Sequence, residues 1–148
     1  MSEHKIVLEW KRESENFDYD TYNRNHAVAF DNGLKIKASA APDYKGHPGC
    51  VDPEEMLVAA VSSCHMLTFL AIASKRKIVI DQYDDNAVGF LEKNSDEKMA
   101  VTRIELHPQI VYGQDKKPTK EEEGALHQQA HQHCFIANSV SARVQIIL

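Results

Sequence analysis

The sequence of 148 residues has no polybasic stripe, no internal repeat and no low-complexity stretch, and it carries only three cysteines. Lysine and arginine number 17 against 22 acidic residues, giving a net charge of −5 with the two signs interspersed. Such a surface does not draw a chain onto phosphates, so nucleic acid is not an expected partner. The opening stretch MSEHKIVLEWKRESE is charged from the start and lacks the apolar core and small-residue cleavage site of a secretory signal. A cytoplasmic location is expected. Cys50, Cys64 and Cys134 lie far apart, are odd in number and sit in a chain large enough not to need staples. They are therefore expected to be reduced and available for chemistry.

What is there suits one globular domain over residues 1–148, with 43% hydrophobic and 26% charged residues. Ile6, Leu8 and Trp10 alternate with polar neighbours, as do Leu34, Ile36 and Ala38 with Lys35, Lys37 and Ser39, the period of half-buried strands. Between them Asp31-Asn32-Gly33 predicts a tight type I′ hairpin joining antiparallel strands near 26–31 and 34–40. After a Gly- and Pro-containing loop, Asp52-Pro53-Glu54-Glu55 reads as an N-cap, a first-turn proline and a reciprocal capping glutamate. The helix it opens runs through MLVAAVSSCHMLTFLAIAS and ends among Ser74-Lys75-Arg76-Lys77, whose charges suit the negative end of a helix dipole.

Apolar residues surround this helix instead of forming one stripe, which predicts burial on most sides. The run from Met56 to Ala73 is marginally long enough to cross a bilayer, but it contains Ser62, Ser63, Cys64, His65 and Thr68 and stands alone among soluble strands. No membrane partner is expected. Strands are predicted at 77–83, 88–93 and, as one longer element, 99–112. Pro118-Thr119 with Glu122 opens a second helix through a capping box, running to about Cys134, and the alternating tail from Val140 to Leu148 predicts a last strand. This order predicts an α+β domain with helices on an antiparallel sheet. A central helix buried all round needs more cover than one small sheet gives, which an interlocked homodimer would supply.

Cys64, mid-helix in Ser62-Ser63-Cys64-His65, stands out as a nucleophile, although a lone cysteine in an Ala-rich helix also serves as a small hydrophobe. A reactive thiol must ionise, and Cys64 is too far along its helix for the dipole to help. An arginine suits the task because it stays charged and can hold an acidic partner in a fixed fork; the candidates are Arg12, Arg24, Arg76, Arg103 and Arg143. Glu54 precedes Cys64 by about 15 Å along one helix. Two copies crossing antiparallel could bring Glu54 of one to Cys64 of the other, or Glu54 could serve only the helix N-terminus. In HQQAHQHC, His127, His131 and Cys134 share a helix face, with His133 beside them, and Cys64 or His65 could complete a tetrahedral zinc set. Histidines on a helix face need no metal, and neither metal nor cofactor is assigned. Cys50 is a second resolving thiol or incidental.

The segments Val51-Asp52-Pro53-Glu54-Glu55-Met56-Leu57, Ser62-Ser63-Cys64-His65-Met66-Leu67 and Ala130-His131-Gln132-His133-Cys134-Phe135-Ile136-Ala137-Asn138-Ser139 resemble the osmotically inducible protein C and organic hydroperoxide resistance proteins, OsmC and Ohr. Tyr22-Asn23-Arg24-Asn25-His26 and Ser39-Ala40-Ala41-Pro42 extend the likeness over nearly the whole chain, and the Ser-Cys-His context is that of the OsmC-like branch. The resemblance implies an intertwined α+β homodimer with sites at the subunit interface. Cys64 would be the peroxidatic cysteine, Cys134 the resolving one, Arg24 the site arginine and Glu54 its glutamate. It implies a thiol-dependent peroxidase that reduces organic hydroperoxides to alcohols through a Cys64 sulfenic acid and a Cys64–Cys134 disulfide, restored by a dithiol that is often lipoyl-linked. Closing that disulfide requires Cα atoms within about 4.4–6.8 Å, so the end of the second helix must lie against the middle of the first. The alternative is a non-catalytic module of the same fold that binds an apolar ligand or zinc.

Overall fold

The alternating N-terminal segments form strands β1 (Ile6–Glu9), β2 (His26–Phe30) and β3 (Lys35–Ala38), paired antiparallel in the order β1-β2-β3. The hairpin between β2 and β3 falls where Asn-Gly places it, but its turn differs from type I′. Only Gly33 has positive φ, at 85°, and Asp31, Asn32 and Gly33 form a three-residue loop closed by Gly33 N–H to Phe30 and Phe30 N–H to Leu34. This matches a type I turn followed by a left-handed glycine. The Asn32 side chain accepts from Leu34 N–H, so asparagine acts through its carbonyl instead of a left-handed backbone. Every residue of β1 is exposed, so the predicted half-burial of this strand is not met within one chain.

The computed structural model describes residues 1–113 and 117–148, in two compact units, Met1–Met56 and Leu57–Leu148. Helix α1 (Pro53–Lys75) starts at the end of the first unit. Its N-terminus is closed reciprocally, Glu55 N–H donating to Asp52 Oδ1 at 2.8 Å and Asp52 N–H to Glu55 Oε2 at 3.0 Å. At its other end Lys77 adopts φ 59°, Ile78 N–H reaches Ala73 O and Lys77 N–H reaches Ser74 O. That pair of bonds is a Schellman closure, with lysine in the place glycine usually takes.

The second unit continues with β4 (Ile80–Asp85), β5 (Val88–Lys93), β6 (Met99–Leu106), β7 (Pro108–Tyr112), α2 (Lys120–His133) and β8 (Arg143–Ile146). The predicted long strand at 99–112 is two strands in different sheets, β6 beside β5 and β8, β7 beside β4. Pro108 has no N–H to donate and restrains His107, so the ladder breaks there; His107 N–H instead donates to Asp85 Oδ1 at 2.7 Å. The tail is shorter than predicted and pairs parallel with β6, because α2 forms the crossover that a parallel connection needs. The result is an α+β fold of two helices and small, mostly antiparallel sheets.

Helix α1 buries Val61, His65, Phe69 and Ala73, a stripe at four-residue spacing. Val61 packs with Ile104, Leu106 and Ala142, and Phe69 and Ala73 pack with Leu126 and Ala130 of α2. Gly89 of β5 leaves room for this approach, since a Cβ there would come 2.5 Å from the Val58 side chain. The burial on most sides predicted for α1 does not occur within one chain: Ala59, Ala60, Ser63, Leu67 and Ala71 are exposed. By length and composition α1 could cross a bilayer, and 22% of its apolar window is buried. Side chains of β4, β6, β7 and β8 and of α2 pack against the stripe from Val61 to Ala73.

Both helices depend on local caps. Thr119 caps α2, its side chain accepting from Glu122 N–H while Glu122 answers to Thr119 N–H. Asp52→Ala and Thr119→Ala should each lower stability by about 1 kcal/mol in urea denaturation, and the double variant by roughly the sum, because the caps share no partner. No loss in either variant would show that the caps follow from packing instead of helping to set it.

Candidate functional site

The second unit brings together Cys64 and Cys134. Cys64 is half-buried in the middle of α1, and Cys134 is the fully buried C-cap of α2. All three cysteines are free thiols. Ala137 N–H donates to the Cys134 sulfur at 3.4 Å, and Thr68 Oγ1 donates to the Cys64 carbonyl one turn back. Burial pushes the Cys134 thiol up; the Ala137 N–H opposes this, and the neighbouring Cys64 side chain adds to it by hydrogen bond and charge. The Cys134 thiol is therefore harder to ionise than a free cysteine.

Cys64 forms part of the wall of a cavity of about 800 Å³. The cavity follows one stripe of α1 from Ala60 through Leu67 and Ala71 to Ile72, and Phe135 and Ile136 close it from beyond α2. Volume and apolar lining are those of a small-molecule site. Polar groups also line it: Lys75 and Arg76 at the end of α1, Gln129 bonded to Arg76, and His133, the neighbour of Cys134.

Between the two core clusters His65 of α1 meets His127 of α2. Their rings are nearly parallel, with His65 Nε2 and His127 Nδ1 3.0 Å apart, and both are about 1% exposed. Phe69 stacks on His127 with centroids 4.3 Å apart. One nitrogen donates and the other accepts, so the contact requires at least one neutral ring. Burial is the main reason that both sit at about 4, with the mutual repulsion of the imidazoles lowering His65 further and Asp85 opposing. Among the described residues, the buried outer nitrogens His65 Nδ1 and His127 Nε2 have no hydrogen-bond partner, nor have His131 Nδ1 and Tyr83 OH.

This pairing separates the residues read as a zinc face. His127 turns to His65, Cys134 to Cys64, and His133 to the cavity; among the described residues no three His, Cys, Asp or Glu side chains form a metal-holding group. Arg24 belongs to the first unit, where its guanidinium lies 3.7 Å from the Tyr22 ring centroid and donates to the carbonyls of Tyr22 and Tyr19. Glu54 is half-buried in the first turn of α1. Cys50 is half-buried, and its N–H donates to His47 O in the loop before α1.

The sequence reading did not single out the His65–His127 pair or Asp85, which accepts from Ser62 Oγ and His107 N–H. The stripe Val61, His65, Phe69, Ala73 was a usable signal for His65, since four-residue spacing places it with core residues.

These two helices, with Cys64 of one at an apolar cavity and Cys134 of the other buried beside it, define a class of α+β proteins in which two cysteines meet. The family model described as OsmC-like protein matches residues 46–148, and the chain belongs to the OsmC family. A solved OsmC-like protein of unknown function from Vibrio cholerae is 47% identical, with a TM-score of 0.95 over 99% of each chain. An organic hydroperoxide resistance protein OsmC from Legionella pneumophila shares the fold at 18% identity, with a TM-score of 0.70 over 100% of both chains. The organic hydroperoxide resistance protein OhrB of Bacillus subtilis does so at 18% identity, with a TM-score of 0.69 over 99% of this chain and 98% of that one. Among curated proteins no sequence matches significantly.

The neutral histidine pair makes stability depend on pH. Above about pH 6.5 the rings are neutral in both folded and unfolded chains. Below it the unfolded chain takes up protons that the folded pair refuses until about pH 4, so stability falls across that window. Each ring contributes at most about 1.4 kcal/mol per pH unit, and a loss of roughly 2–5 kcal/mol is expected between pH 7 and pH 4.5. Urea denaturation of the native protein and of His127→Phe checks this: the variant should lose much of the pH dependence. Equal dependence in both proteins would remove the pair as its cause.

Proposed function

We propose that the chain is a cysteine-based peroxidase that reduces organic hydroperoxides, with Cys64 as the attacking thiol and Cys134 as the resolving one. The observation that carries this reading is the asymmetry of the pair: Cys64 lines an apolar cavity, while Cys134 lies buried behind it, where burial opposes ionisation of its thiol. The names of the Legionella and Bacillus relatives, which share this fold, support the same reaction.

The Cys64 thiolate attacks one peroxide oxygen, and the O–O bond breaks. The alkoxide leaves, takes a proton and becomes the alcohol, and Cys64 is left as a sulfenic acid. Cys134 then attacks the Cys64 sulfur, losing its thiol proton, and the hydroxyl of the sulfenic acid leaves as water with the formation of the disulfide. A dithiol supplies the two electrons and two protons that restore both thiols, and is oxidised to its own disulfide. Burial raises the Cys134 pKa, which leaves that thiol less reactive than a free cysteine toward the peroxide itself.

From the family resemblance we assign Arg24 and Glu54 the task of holding the reacting thiol ionised. We also infer that a second copy covers the exposed Ala and Ser face of α1 and roofs the cavity, giving a homodimer. Small side chains at Ala59, Ala60, Ser63 and Ala71 permit a close helix approach there, and Leu67, 59% exposed, is the apolar surface such a contact would bury.

Consumption of cumene hydroperoxide with dithiothreitol, and then dihydrolipoamide, as reductant tests the reading. Cys64→Ser should abolish turnover, Cys134→Ser should permit at most about one equivalent before stalling, and Cys50→Ser should turn over as the native protein does. Unchanged steady turnover in both Cys64→Ser and Cys134→Ser would contradict the mechanism. No turnover by the native protein with either dithiol would turn the reading to a binding module that uses the same cavity.

A further inference from the structure

Among the described residues, one side-chain hydrogen bond joins α1 to α2, the 3.0 Å contact of His65 Nε2 with His127 Nδ1. It lies one residue from Cys64 on the first helix and seven residues from Cys134 on the second, about two turns along the same face. Neither imidazole takes part in the thiol chemistry proposed above. Both stand where an apolar side chain would fill the core at less desolvation cost, His65 between Val61 and Phe69 of the buried stripe and His127 beside Leu126.

The His127 ring is held from three sides. Phe69 stacks on it with centroids 4.3 Å apart, Tyr83 stands at 6.4 Å, and His65 lies within 5° of parallel. Apolar contact is non-directional and resists a small slide of one helix along another only weakly, whereas a buried hydrogen bond weakens steeply off its geometry. Breaking this one leaves imidazole nitrogens unpaired in the core, so slide and rotation of α1 against α2 are opposed in both directions. Cys64 moves with α1. Cys134 moves with the end of α2, where its carbonyl accepts from Asn138 N–H at 3.0 Å and its sulfur from Ala137 N–H at 3.4 Å. A disulfide requires Cβ atoms about 3.5–4.5 Å apart, so a slide of about 1 Å is enough to take the two sulfurs out of reach.

We propose that His65 and His127 are positioning residues for closing the Cys64–Cys134 disulfide: their hydrogen bond sets the slide and rotation of α1 against α2 and so keeps the two sulfurs in register. The purpose of that closure rests on the peroxidase reading; the register does not. Glutamine can place a polar atom where His65 has Nε2, and asparagine where His127 has Nδ1, so His65→Gln/His127→Asn keeps a cross-helix bond. His65→Leu/His127→Leu removes both partners and leaves no unpaired group, which makes it the variant that tests the bond apart from stability.

Reaction with dithiobis(nitrobenzoate), in protein that also carries Cys50→Ser, reads the register without a peroxide. The Cys64 thiolate attacks the reagent and releases one thionitrobenzoate; the Cys134 thiolate then displaces a second from the Cys64 sulfur as the disulfide forms, and the rate of this second release measures closure. The leucine pair should slow the second release at least about tenfold while changing the first by less than about threefold, and His65→Gln/His127→Asn should recover most of the native rate. His127→Gln, which carries its polar group one bond too far, should be slowed as well and serves where the leucine pair does not fold. A second release as fast as in the Cys50→Ser protein, in the folded leucine pair or, failing that, in His127→Gln, overturns the inference. Where hydroperoxide is turned over, the leucine pair should also accumulate Cys64 sulfinic acid under repeated addition, because a sulfenic acid left unresolved is oxidised again. A slowed second release without any turnover by the native protein upholds the positioning, and it is then the peroxidase reading that fails.

Discussion

Helix α1 has to serve two environments with one sequence, and the stripe Val61, His65, Phe69, Ala73 is where that constraint is met. Its first member closes on the β6 and β8 side chains Ile104, Leu106 and Val144, and its last two close on Leu126 and Ala130 of α2. Each fully buried aliphatic or aromatic side chain of this kind contributes roughly 1.5–3 kcal/mol by removal from water. The position of the helix fixes where Cys64 emerges, three residues beyond Val61 and one before His65. Rotating the helix by one residue would turn His65 out and carry Cys64 away from its place beside Cys134.

The same packing explains why the polar groups at this level are paired. His65 cannot avoid the core, and His127 gives it a hydrogen bond where an isolated ring would cost more. Cys134, the C-cap of α2, is buried with its sulfur accepting from Ala137 N–H. The outer face of α1, left with alanine, serine and Leu67, is where a reactive sulfur can be reached and where a second copy can approach.

Much of this was legible where the signal is local. The caps at Asp52 and Thr119 appear in the sequence as side chains three residues from their partners, and the helices start there. Asn32-Gly33 marked the hairpin but not its turn type, because asparagine can serve such a loop either by its backbone or by its carbonyl. The division of residues 99–112 hung on Pro108 and on Asp85, a partner more than twenty residues away. The parallel partner of β8 was hidden for the same reason, since strand pairing is set by the crossover and not by the alternation within the strand. At the site, the helix context drew attention to Cys64 and the family resemblance to Cys134, and the structure places the two side by side. His127 was grouped by helix face with His131, whereas its partner lies on the other helix. Lys75 and Arg76 were read as charges suited to a helix end, which is true of their place but misses the cavity they face.

The chemical difference between the two sulfurs is the centre of this account, and trapping the intermediate probes it most directly. Cys134→Ser protein treated with one equivalent of cumene hydroperoxide in the presence of dimedone, then mapped by mass spectrometry, should carry the sulfenic adduct on Cys64, while the native protein should instead form a Cys64–Cys134 disulfide. An adduct confined to Cys50, or unmodified Cys64 after the hydroperoxide is added, would contradict it.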